Sequence, residues 1–454
     1  MHGILAIALL SLRSAVRSRM VAVLMMLLVS IMALLPWIIK GDGTISGIIH
    51  LQLAYSLGLA TTVIAMALLW AGSFAVSAEI QDKTIQTLAT KPVSSFHLWA
   101  GKWLGLNLLG LLLLTFCGVV TYLLLQVQLR SDRWTPDDLA TVQRQLTAHA
   151  EFTPILPDFD AQARRERAAS PADSRGDHRS LDEQQQQRRQ SLIAAFFTVR
   201  PLGRNQWSFP SIPTQQTDEA SLILRFRITS SIIGQESVTG RWMIGTTEKP
   251  DQLVLTSSQT PRVWKELRIP YQAEWATKPI LITYLNEDAN GGTILFDLDQ
   301  GLTLLAPADP FAINYLRVLL VNYAQLSFLT ALGVTAGCLF SLPVAALLGM
   351  YILLLVQLGS YIQGMAANEF SLASTTGLER TAIDLILIAI YKGLAFLLSP
   401  LVSGDELTRL ANGLIVPWWS ALRHLILQGL VYSLLLGAFS SFALNRRELA
   451  LPQA

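Results

Sequence analysis

Long uncharged stretches recur along this chain, separated by short charged ones, and one polar block interrupts the series. A helix needs about 20 apolar residues to cross the roughly 30 Å hydrocarbon core of a bilayer. Val21–Ile39, Leu51–Ala78, Trp103–Leu129 and His424–Asn445 each meet that need as single uncharged runs. Val318–Asn368 is 51 residues without a charge, the length of two helices. Pro343 marks the turn between them, because proline lacks an amide hydrogen and disfavours helix in the residue before it. The pattern predicts six spans.

A seventh apolar stretch, 381–402, holds Asp384 and Lys392, each of which costs roughly 2.5 to 3.5 kcal/mol at a helix centre. Arg13, Arg17 and Arg19 precede the first span and Arg446 and Arg447 follow the last, so the excess of basic residues puts both termini in the cytoplasm. The number of full crossings is then even. Residues 381–402 read as a re-entrant or interfacial helix on the outer side, tolerated where protein or water covers it. Counting from the inside, the loop 79–102 between the second and third spans is cytoplasmic, and residues 130–312 are extracytoplasmic. In residues 1–19, Ile4, Leu5, Ala8, Leu9, Leu12 and Val16 recur at helical spacing opposite Arg13 and Arg17. That is the pattern of an amphipathic helix in the inner interface. Its charges follow the apolar stretch, the reverse of a secretory signal.

Composition supports a membrane chain: of 454 residues, 52% are hydrophobic and 15% charged, against about 25% charged in soluble domains. The charge is concentrated, with 20 of the 34 basic and 23 of the 32 acidic residues between positions 128 and 312. A net charge of +2 gives no support to nucleic-acid binding. The insertion has two parts. Residues 130–203 are polar, and the capping-box spacing of Ser180 and Glu183 predicts a helix from Leu181 to about Val199. Residues 161–179, interrupted by Pro171 and Gly176, read as mobile chain rather than coiled coil.

In residues 204–306, Leu222, Leu224, Phe226 and Ile228 alternate with Ile223, Arg225, Arg227 and Thr229. Further short runs at 240–245, 252–257, 262–269, 279–285 and 293–298 are separated by turn residues, which predicts an antiparallel β-sandwich. Trp207, Trp242, Trp264 and Trp275 raise the idea of glycan contacts in this outer domain. Core packing is the competing and favoured reading, because buried aromatics dominate such interiors. Among His, Cys and Met the insertion holds only His149, His178 and Met243, without metal-ligand spacing. No nucleophile–base arrangement marks a catalytic centre, and no catalytic, cofactor-binding or metal-binding residue is assigned to the chain. Asn286–Gly292 reads as a turn. Gly333–Gly337 and Gly101–Gly105 have GxxxG spacing, read first as packing within the chain and only then as a dimer contact.

The expected fold is thus a polytopic α-helical membrane protein. It has an interfacial helix (1–19), spans one to three (20–129), a helical and partly disordered segment (130–203), an extracytoplasmic β-sandwich (204–306), and spans four to six with the re-entrant segment (313–454).

The loop 79–102 is the most informative stretch. An acidic start favours a helix N-terminus, so a short helix is expected from Glu79 to Thr90, with Ile80, Thr84, Ile85 and Leu88 on one face. Lys91–Pro92 breaks it before the helical run into span three. The residues Glu79, Lys83–Thr84, Leu88, Lys91–Pro92–Val93, Ser94 and Gly101–Lys102, together with the span order, the segment between the last two spans and the terminal Asn445–Arg446–Arg447–Glu448, resemble the ABC-2 type transporter permeases. The chain departs from that pattern in having Lys83 where glycine is usual and Ser95 where arginine is usual.

The resemblance implies a permease of a bacterial inner membrane, pairing with a second permease copy, identical or not, amid membrane lipid. It also implies a cytoplasmic ABC ATPase dimer docking on Glu79, Asp82, Lys83, Thr84, Leu88, Lys91, Pro92 and Lys102. ATP and magnesium are expected in that partner, not here. A phosphate-binding loop needs Gly-Lys-Ser/Thr, whereas Gly101–Lys102 is followed by Trp103, and no other Gly-Lys pair occurs. Export of an unidentified substrate is the leading expectation. Alternatives are an ATPase-driven transmission device that moves the outer domain to act on an envelope protein without transport, and a membrane-anchored module binding a protein or glycan with no ATPase.

Overall fold

The computed structural model describes residues 2–17, 19–38, 45–81, 94–130, 146–169, 181–213, 221–288, 291–297, 301–359, 361–362, 365, 382–398 and 406–446. The chain divides into two compact units: Met1–Leu146 with Pro310–Ala454, which is helical, and Thr147–Asp309, which is β-rich.

The helical unit begins with α1 (His2–Arg17) and α2 (Arg19–Ile38), followed by α3 (Ile45–His50), which runs through a π-helical stretch (Leu51–Ser56) into α4 (Leu57–Gln81). Next comes α5 (Ser95–Leu129). Four helices are long and apolar enough to cross a membrane, namely Leu51–Glu79, Ser95–Leu129, Phe311–Leu339 and Trp418–Arg446; α1 and α2, bent by 65°, make a fifth if the pair counts as one span. The six full crossings expected are therefore not all present among the described residues. The break around Pro343 falls where proline predicts it, between α8 (Phe311–Leu339) and α9 (Leu342–Gln357). Yet α9 is only 16 residues, about 24 Å of rise, short of a bilayer core. Most of segment 381–402 forms α10 (Ala382–Leu398), with Lys392 exposed. Two short helices, α11 (Glu406–Ala411) and α12 (Trp418–His424), precede a second π-helical stretch (Leu425–Tyr432) and α13 (Ser433–Arg446).

Both π-helical stretches have a local cause. Ser56 donates to the carbonyl of Leu51 and Ser433 to that of Gln428, five residues back, which suits the wider turn. Between α11 and α12, Asn314 donates to the Leu414 carbonyl and accepts from the Val416 amide. Arg317 donates to the Val416 carbonyl and lies 4.7 Å over the ring of Trp418. These bonds fasten residues 414–418 to the first turns of α8.

The core of this unit lies where α4, α5 and α8 meet, around Leu68, Leu69, Leu106, Leu113, Val318 and Val334. Here glycine is required for close approach. A Cβ on Gly333 would stand 2.5 Å from the Leu69 carbonyl oxygen, one on Gly337 would strike the Ser73 carbonyl oxygen, and Gly72 faces the backbone of Val334. Ser73 and Ser77 exploit the contact by donating to the carbonyls of Gly333 and Gly337 at 3.2 and 3.1 Å. Such bonds persist in an apolar medium because water offers no competitor. The Gly101–Gly105 pair lets α1 approach α5: Gly101 faces Ile7 and Gly105 faces the Ala8 carbonyl. Both GxxxG pairs thus pack within the chain, as expected.

In the β unit, β1 (Thr147–Phe152) is followed by α6 (Phe159–Ala169) and α7 (Leu181–Phe196). Then come β2 (Thr198–Val199), β3 (Arg204–Phe209), β4 (Ser221–Phe226), β5 (Ile228–Ser230), β6 (Val238–Gly245), β7 (Leu253–Gln259), β8 (Lys265–Pro270), β9 (Ile280–Asn286), β10 (Ile294–Phe296) and β11 (Leu302–Pro310). They form three sheets, ordered β1-β11-β4-β8, β2-β10-β5 and β3-β9-β6-β7. Leu222, Leu224, Phe226 and Ile228 are all buried, as the alternation predicts, but Ile223 on the opposite face is buried too, and the run breaks at Arg227 into β4 and β5, which belong to different sheets. Leu222, Leu224, Phe226 and Ile228 join Trp207, Trp242, Tyr284 and Phe296 in one core.

The helix from Leu181 forms and ends at Phe196, with Thr198 and Val199 passing into a strand. Of the segment 161–179 expected to be mobile chain, residues 161–169 depart from that expectation and 170–179 lie outside the described residues. Residues 159–169 form α6, whose start is held by the Asp158 carboxylate accepting from the Ala161 amide. Phe159 packs edge-on against Phe196. In the 286–292 turn, Asp288 accepts from Gln235 and from the Gly292 amide, and Gly291 takes a positive φ of 72°.

Candidate functional site

Of the eight expected docking residues, Glu79 and Lys102 lie within the described structure. Asp82, Lys83, Thr84, Leu88, Lys91 and Pro92 lie outside the described residues, as does most of the helix expected over 79–90. What the structure gives is the base of the loop. Glu79 continues α4 and does not open a new helix, so the dipole argument for an acidic N-terminus does not apply to it. Its partner is instead Lys102, whose ammonium stands 2.5 Å from the Glu79 carboxylate and also donates to the Ala75 carbonyl.

Lys102 is 3% exposed. Its ammonium is engaged within the chain by the Glu79 carboxylate and the Ala75 carbonyl, which joins the two stems of the loop. Burial of a charge is tolerated only when paired in this way.

Ser94 begins α5 as its N-cap, accepting from the His97 amide, and the helix runs from Ser95 without interruption. Its first turns are tied to two other helices. Phe96, Trp99 and Trp103 stack in a row, with centroid distances of 6.1 and 5.5 Å. Trp99 donates to the Thr335 hydroxyl at 3.2 Å and Trp103 to the Ser327 carbonyl at 3.1 Å, both on α8. Gly437 of α13 leaves room for the Trp99 ring, and Ser95 donates to the Asn445 side chain at 2.6 Å. The start of α5 is therefore joined to α8 and α13 by direct hydrogen bonds.

On the other side of α5 lies α1. Ile4, Leu12 and Ala15 pack towards the core, and Ala8 is buried. Leu5, Leu9 and Val16 remain exposed, together with Arg13 and Arg17. The expected apolar face is thus split between a protein-facing edge and a free one, which suits a helix with lipid beside it.

The four tryptophans of the β unit separate clearly. Trp207, Trp242 and Trp275 are fully buried. Trp207 donates to the Phe196 carbonyl and Trp242 to the Ser257 hydroxyl. Their candidacy as ligand contacts is overturned in favour of core packing. Trp264 differs: it is 36% exposed, and the guanidinium groups of Arg225 and Arg227 stand 4.6 and 4.8 Å from its ring centre.

Ser73, Ser77, Ser327 and Thr335 bond across helices, roles that their residue types alone do not announce. The spacing of Ser73 and Ser77, four residues apart like Gly333 and Gly337, was the available signal. Compared with protein-family models, with curated proteins and with solved structures, the chain matches none.

Proposed function

We propose that this chain is the membrane subunit of an ABC-2 type transporter, a permease that pairs with a second copy and is driven by a separate cytoplasmic ATPase docking on the loop between α4 and α5. The observation that carries this reading is the construction of the loop's base. Glu79 and Lys102 join its two stems, and the Trp99 and Trp103 bonds join the second stem to α8. An ion pair with its ammonium buried fixes the spacing of the two stems, which suits a loop that receives force. In this reading the termini and the loop face the cytoplasm of a bacterial cell, the β unit lies on the outer side, and export of an unidentified substrate is the activity.

The decisive variant reverses charge in the loop while leaving its base intact. Lys83→Glu with Lys91→Glu is expected to uncouple ATP hydrolysis from function without loss of membrane insertion. Unchanged coupling refutes the docking role.

One observation favours a transmission device as second reading. Strand β11 ends at Pro310 and helix α8 begins at Phe311. They follow one another directly along the chain, and in this reading that junction is the route by which movement of α8 reaches a strand paired with β4. Substrate-stimulated ATP hydrolysis in liposomes favours transport; hydrolysis responsive only to an envelope protein favours transmission.

A further inference from the structure

The β unit holds a cleft of about 220 Å³ at the connection between β7 and β8, lined by Ser237, Ser258, Gln259, Thr260, Trp264 and Lys265. Strands β7 and β8 are edge strands of two different sheets. Gln259 pairs in register with Val238, and two residues back Ser257 pairs with Gly240. This register puts the Gln259 side chain on the same strand face as Ser257, which meets the core residue Trp242. An apolar residue is expected at such a position. Gln259 is instead only 6% exposed, and among the described residues neither its carboxamide oxygen nor its nitrogen has a hydrogen-bond partner. An unpaired carboxamide opposes folding, and its place in the cleft wall calls for a reason outside stability.

The wall beside Gln259 is held in place. Arg262 adopts a positive φ of 66°, and its amide donates to the Ile228 carbonyl at 2.6 Å. Trp264 is fixed by Arg225 and Arg227, and Arg227 is itself paired with Asp297. Lys265 donates to the Ser258 carbonyl at 3.5 Å, leaving most of its ammonium free for other acceptors. No acidic side chain lines the cleft.

We propose that this cleft binds an acidic saccharide. A carboxamide offers one acceptor and two donors side by side, which suits neighbouring hydroxyl or acetamido groups of a sugar. Three hydroxyl side chains extend that set, the indole and Val263 supply an apolar wall, and Lys265 meets a carboxylate. The inference concerns the β unit alone and stands whether or not an ATPase drives the chain.

The test uses the full chain in detergent, titrated calorimetrically with hyaluronan tetrasaccharide, with neutral chitotetraose and with a short polyglutamate peptide. The acidic saccharide should bind at least about tenfold more tightly than the neutral one, a margin within reach of one charge-assisted hydrogen bond. Lys265→Gln should erase that preference. Gln259→Leu, which removes the two unpaired groups, should weaken saccharide binding by at least about tenfold and at the same time raise the melting temperature. Trp264→Ala, a change at the surface, should also weaken binding. Absence of binding by either saccharide, tighter binding of the peptide, unchanged affinity in Gln259→Leu, or a lowered melting temperature for it would each overturn the proposal.

Discussion

The ion pair at the base of the loop makes an asymmetric prediction. Lys102 has a side chain 4% exposed and Glu79 one 35% exposed, so the two partners differ in what is left behind when the other is removed. Glu79→Gln strands an ammonium in the protein with only the Ala75 carbonyl for certain company. Breaking a buried pair from one side costs about 3 to 5 kcal/mol. Since one end here reaches solvent, about 2 to 3 kcal/mol is expected.

Lys102→Met leaves a carboxylate that water can reach, and methionine replaces much of the lost stem, so about 1 kcal/mol is expected. The double variant should recover most of the loss, giving a coupling of at least about 1 kcal/mol. Reversible unfolding of the purified protein in mixed micelles, followed by helix circular dichroism, measures all four corners of the cycle. Equal costs for the two single changes, or additive costs in the double variant, refute the argument that Lys102 is the buried partner and Glu79 its solvent-facing anchor.

Three further outcomes follow from the packing. Gly337→Leu drives a side chain into the Ser73 backbone and should cost about 3 kcal/mol or more in the same unfolding assay; wild-type stability would mean that α4 and α8 do not meet there. Gly240→Ala would collide with the buried Tyr284 ring, so loss of the near-ultraviolet signal of the β core at lower temperature, by about 3 kcal/mol in stability, is expected. Tyr284 sets a pH limit: burial pushes its phenol above the ordinary value of 10.0, so its folded-state contribution is complete below pH 10.0 and is lost as pH rises beyond it. Its hydroxyl has no partner, so Tyr284→Phe should match or exceed wild-type stability at neutral pH and flatten the alkaline decline; a steeper decline refutes this.

Much of the architecture is legible in periodicity. Residues 222–226 announce a strand because alternate side chains share one face, and Leu222, Leu224 and Phe226 are in the core; the break at Arg227, after which Ile228 joins another sheet, is not visible in the pattern. Pro343 announces its break for a reason internal to one residue. Less legible are features that depend on distant partners. Lys102 reads as a loop charge until α4 is seen to bring Glu79 and the Ala75 carbonyl to it.

Strand β11 is buried continuously from Leu302 to Ala306 and has no alternation to reveal it. Nor does β1, within a polar stretch, stand out by composition. The length of an uncharged run bounds a span from above only: among the described residues, Val318–Asn368 holds most of one long helix and a second of 16 residues. For the tryptophans, composition cannot separate wall from core; only burial distinguishes Trp264 from its three fellows.

The most direct test of the central claim is isolation of the chain from its native membrane in mild detergent under ATP-free conditions, followed by mass measurement of the intact complex and assay of ATP hydrolysis. A complex containing two copies of a separate nucleotide-binding subunit, lost when Lys83 and Lys91 are reversed in charge but retained in Lys265→Gln, is the predicted result. A chain that emerges alone and without ATP hydrolysis, or whose ATPase partner ignores the loop, contradicts it.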